Sequence, residues 1–226
     1  MQRLPIKLIE TTGTDALARW QELKSAGQGF PVVLGNDEKM LPLSLLRPSG
    51  PNGPNVPPPP SVEEILGAAA GIRFPDDLAK GKGADGPHDP PIGEWPASPD
   101  PSLGLSVAGN FRGPLPKVYI ALVPTDDWTT IPAHLCWGGW NDCPAAEYHV
   151  AAMRRWRDRY GAELVGMSFD TINLRVATKP KTRAEALALA REQYVYCNDI
   201  IDQGGQAYSA LAASLMANDW WFFWWD

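Results

Sequence analysis

The unbroken aromatic run Trp220-Trp221-Phe222-Phe223-Trp224-Trp225 constrains this chain more than any other feature of it. A side chain of this kind covers about 150–250 Å². In an extended backbone, successive side chains point to opposite faces, so a wholly aromatic strand needs cover on both. The run therefore predicts a central or well-covered strand inserted last into a β-sheet. A chain of 226 residues can supply that cover, as one large domain or two small ones.

The pattern before this run supplies the partners. Val118 to Val123 reads as a strand from its β-branched and aromatic content, with Pro124-Thr125-Asp126-Asp127 as the turn behind it. A helix is expected from Pro144 to Tyr160, ended by Gly161. Its arginines 154, 155, 157 and 159 suit the carbonyl end of the helix dipole better than an anion site. Strands at Ala162–Met167 and Thr171–Ala177 follow, the second with Ile172, Leu174 and Val176 facing one way and Asn173 and Arg175 the other. Thr182-Arg183-Ala184-Glu185 is a capping box that opens a helix, and Gly204-Gly205 precedes another. This order predicts an α+β fold. Its C-terminal half is expected to form a ferredoxin-like, split β-α-β antiparallel sheet with helices on one face.

The N-terminal half reads as an α/β lead-in that can extend that sheet. Leu4 to Ile9 alternates as a strand, Thr14 or Asp15 can cap a helix bearing Leu17, Trp20 and Leu23, and Phe30 to Leu34 is a buried strand. Ser61-Val62-Glu63-Glu64 resembles a second capping box. Proline- and glycine-rich stretches at 47–60 and 75–116 read as linkers, because proline removes a backbone donor and blocks helix interiors and ladders. The expected division is thus residues 1–115 and 116–226.

Composition narrows the partners. The net charge of -6 argues against nucleic acid and favours a basic or peptidic partner. No apolar run approaches the roughly 20 residues that cross a bilayer, and the start lacks a secretory signal. The three cysteines Cys136, Cys143 and Cys197 are too few for a disulfide framework, which fits a cytoplasmic setting. Phosphate-binding glycine loops are absent, and no cofactor is implied.

The densest chemistry lies in Trp137-Gly138-Gly139-Trp140-Asn141-Asp142-Cys143-Pro144 and the helix behind it. His134, Cys136, Cys143 and His149 are residue types that zinc accepts, but they lack a compact ligand pair, so core packing is the simpler account and no metal site is assigned. Cys143 at a helix start with His149 as base would make a nucleophile. Yet six residues along one helix turn the two side chains apart, and Cys143 reads as a helix-start residue. Asp142, Asp199 and Asp202 are candidates for acid/base work by paired carboxylates, but Asp142 reads as an N-cap and Asp199 as ending or capping its helix, so capping is the simpler account. The fourth use of the loop is recognition by Trp137, Trp140, Asn141 and Asp142, weighed against an internal corner in which the indoles plug the sheet end. Exposure discriminates: an enzyme draws Asp142, Cys143 and His149 into a cleft, whereas a binder can bury all three and offer an exposed acidic or aromatic patch, and Cys143 and His149 buried and apart would exclude the catalytic version.

Several segments also carry a resemblance. Ile131-Pro132-Ala133-His134-Leu135, the loop Trp137 to Pro144, Tyr160-Gly161-Ala162-Glu163-Leu164-Val165-Gly166-Met167-Ser168, Arg191-Glu192-Gln193-Tyr194 and Trp224-Trp225-Asp226 occur in an order that resembles the bacterial domain-of-unknown-function 4253 family, over about Pro116 to Asp226. Asn198 after Cys197 departs from the proline expected there. The resemblance implies no reaction. The expectation is a cytoplasmic protein-interaction module, with an immunity or toxin-neutralising factor as its specific form. The alternatives are a hydrolase-like enzyme working near Trp137–Pro144, and a structural scaffold without a dedicated site.

Overall fold

A computed structural model describes residues 6–36, 59–81 and 89–226. Residues 1–5, 37–58 and 82–88, which hold the start of the first expected strand, most of the first proline- and glycine-rich stretch and part of the second, lie outside the described residues. Where local chemistry is strong, the elements form as expected. β1 (Lys7–Thr11) leads to α1 (Ala16–Ala26), which Gly27 ends in the left-handed region at φ 65°. β2 (Phe30–Gly35) is buried throughout. Ser61 and Glu64 close both bonds of a capping box at the head of α2 (Val62–Ala70), and a short α3 (Asp76–Gly81) follows.

From residue 89 onward, the segment expected to be a second linker is instead part of the packed structure. Tyr208 and Ser209 donate their backbone N–H groups to the carbonyls of Pro91 and Ile92, and Ser209 Oγ donates to the Glu94 carbonyl. Proline here removes donors that an irregular strap does not need. After a small hairpin of β3 (Gly109–Asn110) and β4 (Gly113–Pro114), β5 (Val118–Val123) enters the core, and α4 (Ile131–Leu135) precedes the tryptophan-glycine loop. Then come α5 (Ala146–Tyr160), β6 (Glu163–Met167), β7 (Thr171–Arg175), α6 (Arg183–Tyr196), α7 (Tyr208–Ala217) and β8 (Trp220–Trp224). Between α6 and α7, Ile200–Gly205 forms a π-type turn.

The fold is α+β, built on a mostly antiparallel sheet in the order β1-β5-β2-β6-β7-β8. A split β-α-β unit would assemble its four strands from the C-terminal half alone. Here β2 of the lead-in stands between β5 and β6, antiparallel to β5 and parallel to β6 through Val33 and Gly166. The lead-in thus supplies an interior strand as well as the edge strand β1. The aromatic strand β8 is the opposite edge, not a central strand. Its cover comes from the two layers around it. Trp221, Phe223 and Trp225 are buried on the inner face, where Trp156 lies flat on Phe223 at 5.2 Å and 3° and Tyr196 meets Phe223 edge-on at 5.0 Å. Full burial of such a ring contributes about 1.5–3 kcal/mol, which fixes this edge firmly. Trp220, Phe222 and Trp224 are half-buried on the other face.

That outer face explains Asn173. The alternation of β7 places it on the side expected to be solvated, but it is fully buried. Its Oδ1 accepts the Val107 N–H at 3.1 Å, and its Nδ2 donates to Ser106 Oγ at 2.9 Å. The strap passing over the sheet converts an expected surface residue into an anchor. The arginines of α5 also gain specific partners: Arg155 and Arg159 reach the buried carboxylate of Glu192 at 2.8 and 3.5 Å, and Arg157 pairs with Asp127 and Asp158.

Candidate functional site

The loop from Cys136 to Ala145 is a compact corner, and its geometry decides where each candidate residue goes. Cys136 and Asn141 adopt positive φ (45° and 44°), as do Gly138 and Gly139 (106° and 85°). The Gly139 N–H donates to the carbonyl of Pro144 at 2.9 Å, and the Cys143 N–H donates to that of Trp140 at 2.9 Å. These bonds hold Cys143 and Pro144 in the loop. α5 therefore begins at Ala146, behind an extended Ala145 whose side chain makes no cap. Asp142 is not the N-cap that its position suggested; it is exposed in the loop. Asp199 stands at the N-cap position of the Ile200–Gly205 turn but makes no side-chain cap bond to its backbone, and Asp202 lies in the first turn of the same segment. Asp199 accepts from Gln203 Nε2 and from the Asp226 N–H, and Asp202 from the Tyr194 hydroxyl.

The late helix start corrects the separation expected for Cys143 and His149. Because Cys143 precedes the helix, the chain folds back and puts Sγ 3.5 Å from His149 Nε2. On the other side of the imidazole, Nδ1 lies 2.6 Å from the Tyr196 hydroxyl of α6. With the phenol donating to Nδ1, the ring proton sits on Nε2, facing Cys143 and the Pro144 carbonyl. Trp137 and Trp225 pack edge-on against the same ring at 4.8 and 5.7 Å. Gly138 closes the remaining side: a Cβ there would stand 2.1 Å from Pro144 O and 2.6 Å from His149 Nε2.

Electrostatics follow from this enclosure. Burial pushes the His149 imidazole down to about 3, outweighing the opposing hydrogen bond of the Pro144 carbonyl, so the ring is neutral at pH 7. Burial also pushes the Tyr196 phenol up, with Cys143 and Cys197 nearby reinforcing it. A neutral, poorly basic imidazole neither deprotonates a thiol well nor holds a thiolate by charge. The relay Cys143–His149–Tyr196 has the connectivity of a catalytic triad and the environment of a core. His149 is 0% exposed and Cys143 4%, and the Asp142 carboxylate does not join them.

The metal candidates are divided. Cys143 and His149 meet, but His134 sits on α4 and Cys136 turns towards the Pro60 carbonyl at 3.5 Å. Among the described residues no group of three or more His, Cys, Asp or Glu side chains could hold a metal ion.

The four recognition candidates separate by depth. Trp137 is buried, and its indole donates to the Ser168 carbonyl at 2.8 Å, which makes it the internal plug of the corner. Trp140 is half-buried and stacks on Phe169 at 5.5 Å and 15°. Asn141 and Asp142 are exposed, and Asn141 Nδ2 donates to the carbonyl of Asp226. Tyr196, Phe169 and Asp226 belong to this region but carry no signal of it in the sequence. Each arrives from a distant element, and no local spacing announces it.

Residues 119–226 match the family model described as Domain of unknown function (DUF4253), the part of the chain that runs from the second residue of β5 through β8 and includes the whole corner. No curated protein and no solved structure matches the chain. No helix among the described residues is long and apolar enough to cross a membrane.

Proposed function

We propose that this protein is a binding module that engages a protein partner through the corner of Trp140, Asn141 and Asp142, and that Cys143, His149 and Tyr196 hold the corner in shape. One observation carries this reading: the reactive pair is sealed beneath aromatic rings while its neighbours in sequence stand at the surface. Trp140 on Phe169 offers a rigid apolar step at low entropic cost, and Asn141 and Asp142 add directional polar groups beside it. The acidic balance of the chain favours a basic partner. Neutralisation of a basic toxin by a cytoplasmic immunity factor is the specific form that fits this chemistry.

The test is capture of partners on the immobilised full chain, followed by titration of the recovered partner against variants. Asp142→Lys, at an exposed side chain, should weaken binding at unchanged thermal stability, Trp140→Ala should weaken it further at some cost in stability, and Cys143→Ala, which leaves the His149–Tyr196 hydrogen bond in place, should largely retain it. A partner indifferent to the first variant would overturn the reading. So would a hydrolytic turnover lost on Cys143→Ala, which would restore the enzyme.

A further inference from the structure

The outer face of β8 lacks the partners that the rest of the fold gives its aromatic rings. On the inner face, Trp221, Phe223 and Trp225 each pack against other rings. Elsewhere the chain's own cations cover aromatic faces: Arg183 lies over Trp95 at 4.5 Å, Arg191 over Tyr208 at 5.3 Å and Arg159 over Tyr160 at 5.5 Å. Trp220, Phe222 and Trp224 are half-buried, and among the described residues no ring packs on them and no Lys or Arg lies over them. Arg175 faces Trp220 across the strand pair without lying over its ring.

These three side chains line one cavity of about 430 Å³, bounded by β8, α7, the π-type turn and the strap at residues 100–103. The volume is that of a small-molecule site. Its charge is of one sign: Asp100 and Asp199 line it, and no Lys, Arg or His does. All of its lining comes from residues 89–110 and 192–226, two segments that together hold eight Asp or Glu and no Lys, Arg or His. Glu192 is paired with Arg155 and Arg159, and among the described residues none of the other seven forms an ion pair. Uncompensated carboxylates and uncovered aromatic rings favour the same kind of guest, a cation.

Hydration narrows the cation. A primary ammonium is compact and strongly hydrated, and its three donors each need an acceptor once water is left behind. Both oxygens of the Asp199 carboxylate already accept, from Gln203 Nε2 at 3.1 Å and from the Asp226 N–H at 3.1 Å, while Leu103 and Leu211 add hydrocarbon. A fully alkylated ammonium has no donor to satisfy, and rings and carboxylates attract it through its alkyl shell. We propose that this cavity binds a small alkylated ammonium, held against Trp220, Phe222 and Trp224 in the field of Asp100 and Asp199. The inference is independent of the protein-binding corner.

The experiment titrates the full-length chain with three probes and follows the indole signals in proton–nitrogen correlation spectra. Choline carries the alkylated cation, neohexyl alcohol has the same shape with carbon in place of nitrogen, and ethanolamine has the charge without the methyl groups. Choline should shift the Trp220 indole signal, assigned by its loss in Trp220→Leu, and should saturate below about 10 mM. The other two probes should bind at least about 5-fold more weakly. Trp220→Leu, which keeps an apolar side chain but removes the ring, should weaken choline about 3–10-fold when the Trp224 signal is followed. Asp100→Asn alters an exposed side chain and leaves the Asp100 carbonyl free to hold Asn218, so it should weaken choline about 2–5-fold at an unchanged urea midpoint. Absence of a saturable shift with choline would overturn the proposal. Neohexyl alcohol binding as tightly would reduce the site to an apolar pocket, and ethanolamine binding as tightly would reduce it to an acidic patch; either result would overturn it, as would choline affinity unchanged in both variants.

Discussion

Gly138→Ala tests the corner most directly. Two effects add. At φ 106° an alanine is strained, which costs about 1–2 kcal/mol. Its Cβ would also stand 2.1 Å from the Pro144 carbonyl and 2.6 Å from His149 Nε2, and relieving that overlap in a packed site costs about 1–3 kcal/mol more. Gly139→Ala is the control. It shares the strain at φ 85°, but its Cβ would meet nothing within 4 Å. Both variants should unfold at lower urea than the wild type, and Gly138→Ala should lose about 1–3 kcal/mol beyond Gly139→Ala. With a slope of about 3 kcal/mol/M, the two midpoints should differ by roughly 0.3–1 M. Equal midpoints would refute the claim that Gly138 is required by its contact with His149, because only the shared backbone strain would remain.

The His149 imidazole is held down to about 3 in the fold and returns to about 6.5 when unfolded, so the unfolded chain binds the extra proton between those values. Stability should therefore be complete above about pH 6.5 and fall as pH drops towards 3, by up to about 1.4 kcal/mol per pH unit from this group. Urea midpoints of His149→Gln across the same range should show a correspondingly shallower slope. Glu192→Ala removes the acceptor of Trp156 Nε1 and the partner of Arg155 and Arg159, and should cost about 2–4 kcal/mol in chemical denaturation; Glu192→Gln, which keeps one acceptor, should cost less. Thiol labelling of the native chain should modify half-buried Cys136 first, and reach buried Cys143 and Cys197 only at the rate of unfolding.

Features written in neighbouring residues could be read from the sequence. The Ser61–Glu64 and Thr182–Glu185 capping boxes and the Gly161 stop each depend on bonds within a turn. The β6–β7 hairpin follows from a short alternating pair of strands. Features set by distant partners could not. Placement of β2 between β5 and β6 depends on a long-range pairing that no periodicity encodes, and Asn173 is buried only because the strap crosses it. At the corner, residue types pointed to the right stretch and spacing misled. A helix from Pro144 would have kept Cys143 and His149 apart, but Gly139 claims the Pro144 carbonyl, delays the helix, and brings them together. Tyr196 completes the relay from another helix, which only the tertiary packing reveals.

The position of β2 has a further consequence. The segment that matches the family model, residues 119–226, holds nearly all of β5 and the β6–β7–β8 ribbon, and within the described sheet β2 stands between the two. Cut between β2 and β5, the polypeptide becomes two fragments, neither with a complete hydrophobic sheet, and each supplies the template that the other lacks. Reassembly is then second order in fragment concentration, so the chain is suited to use as a split pair whose signal reports the meeting of whatever its two pieces are fused to.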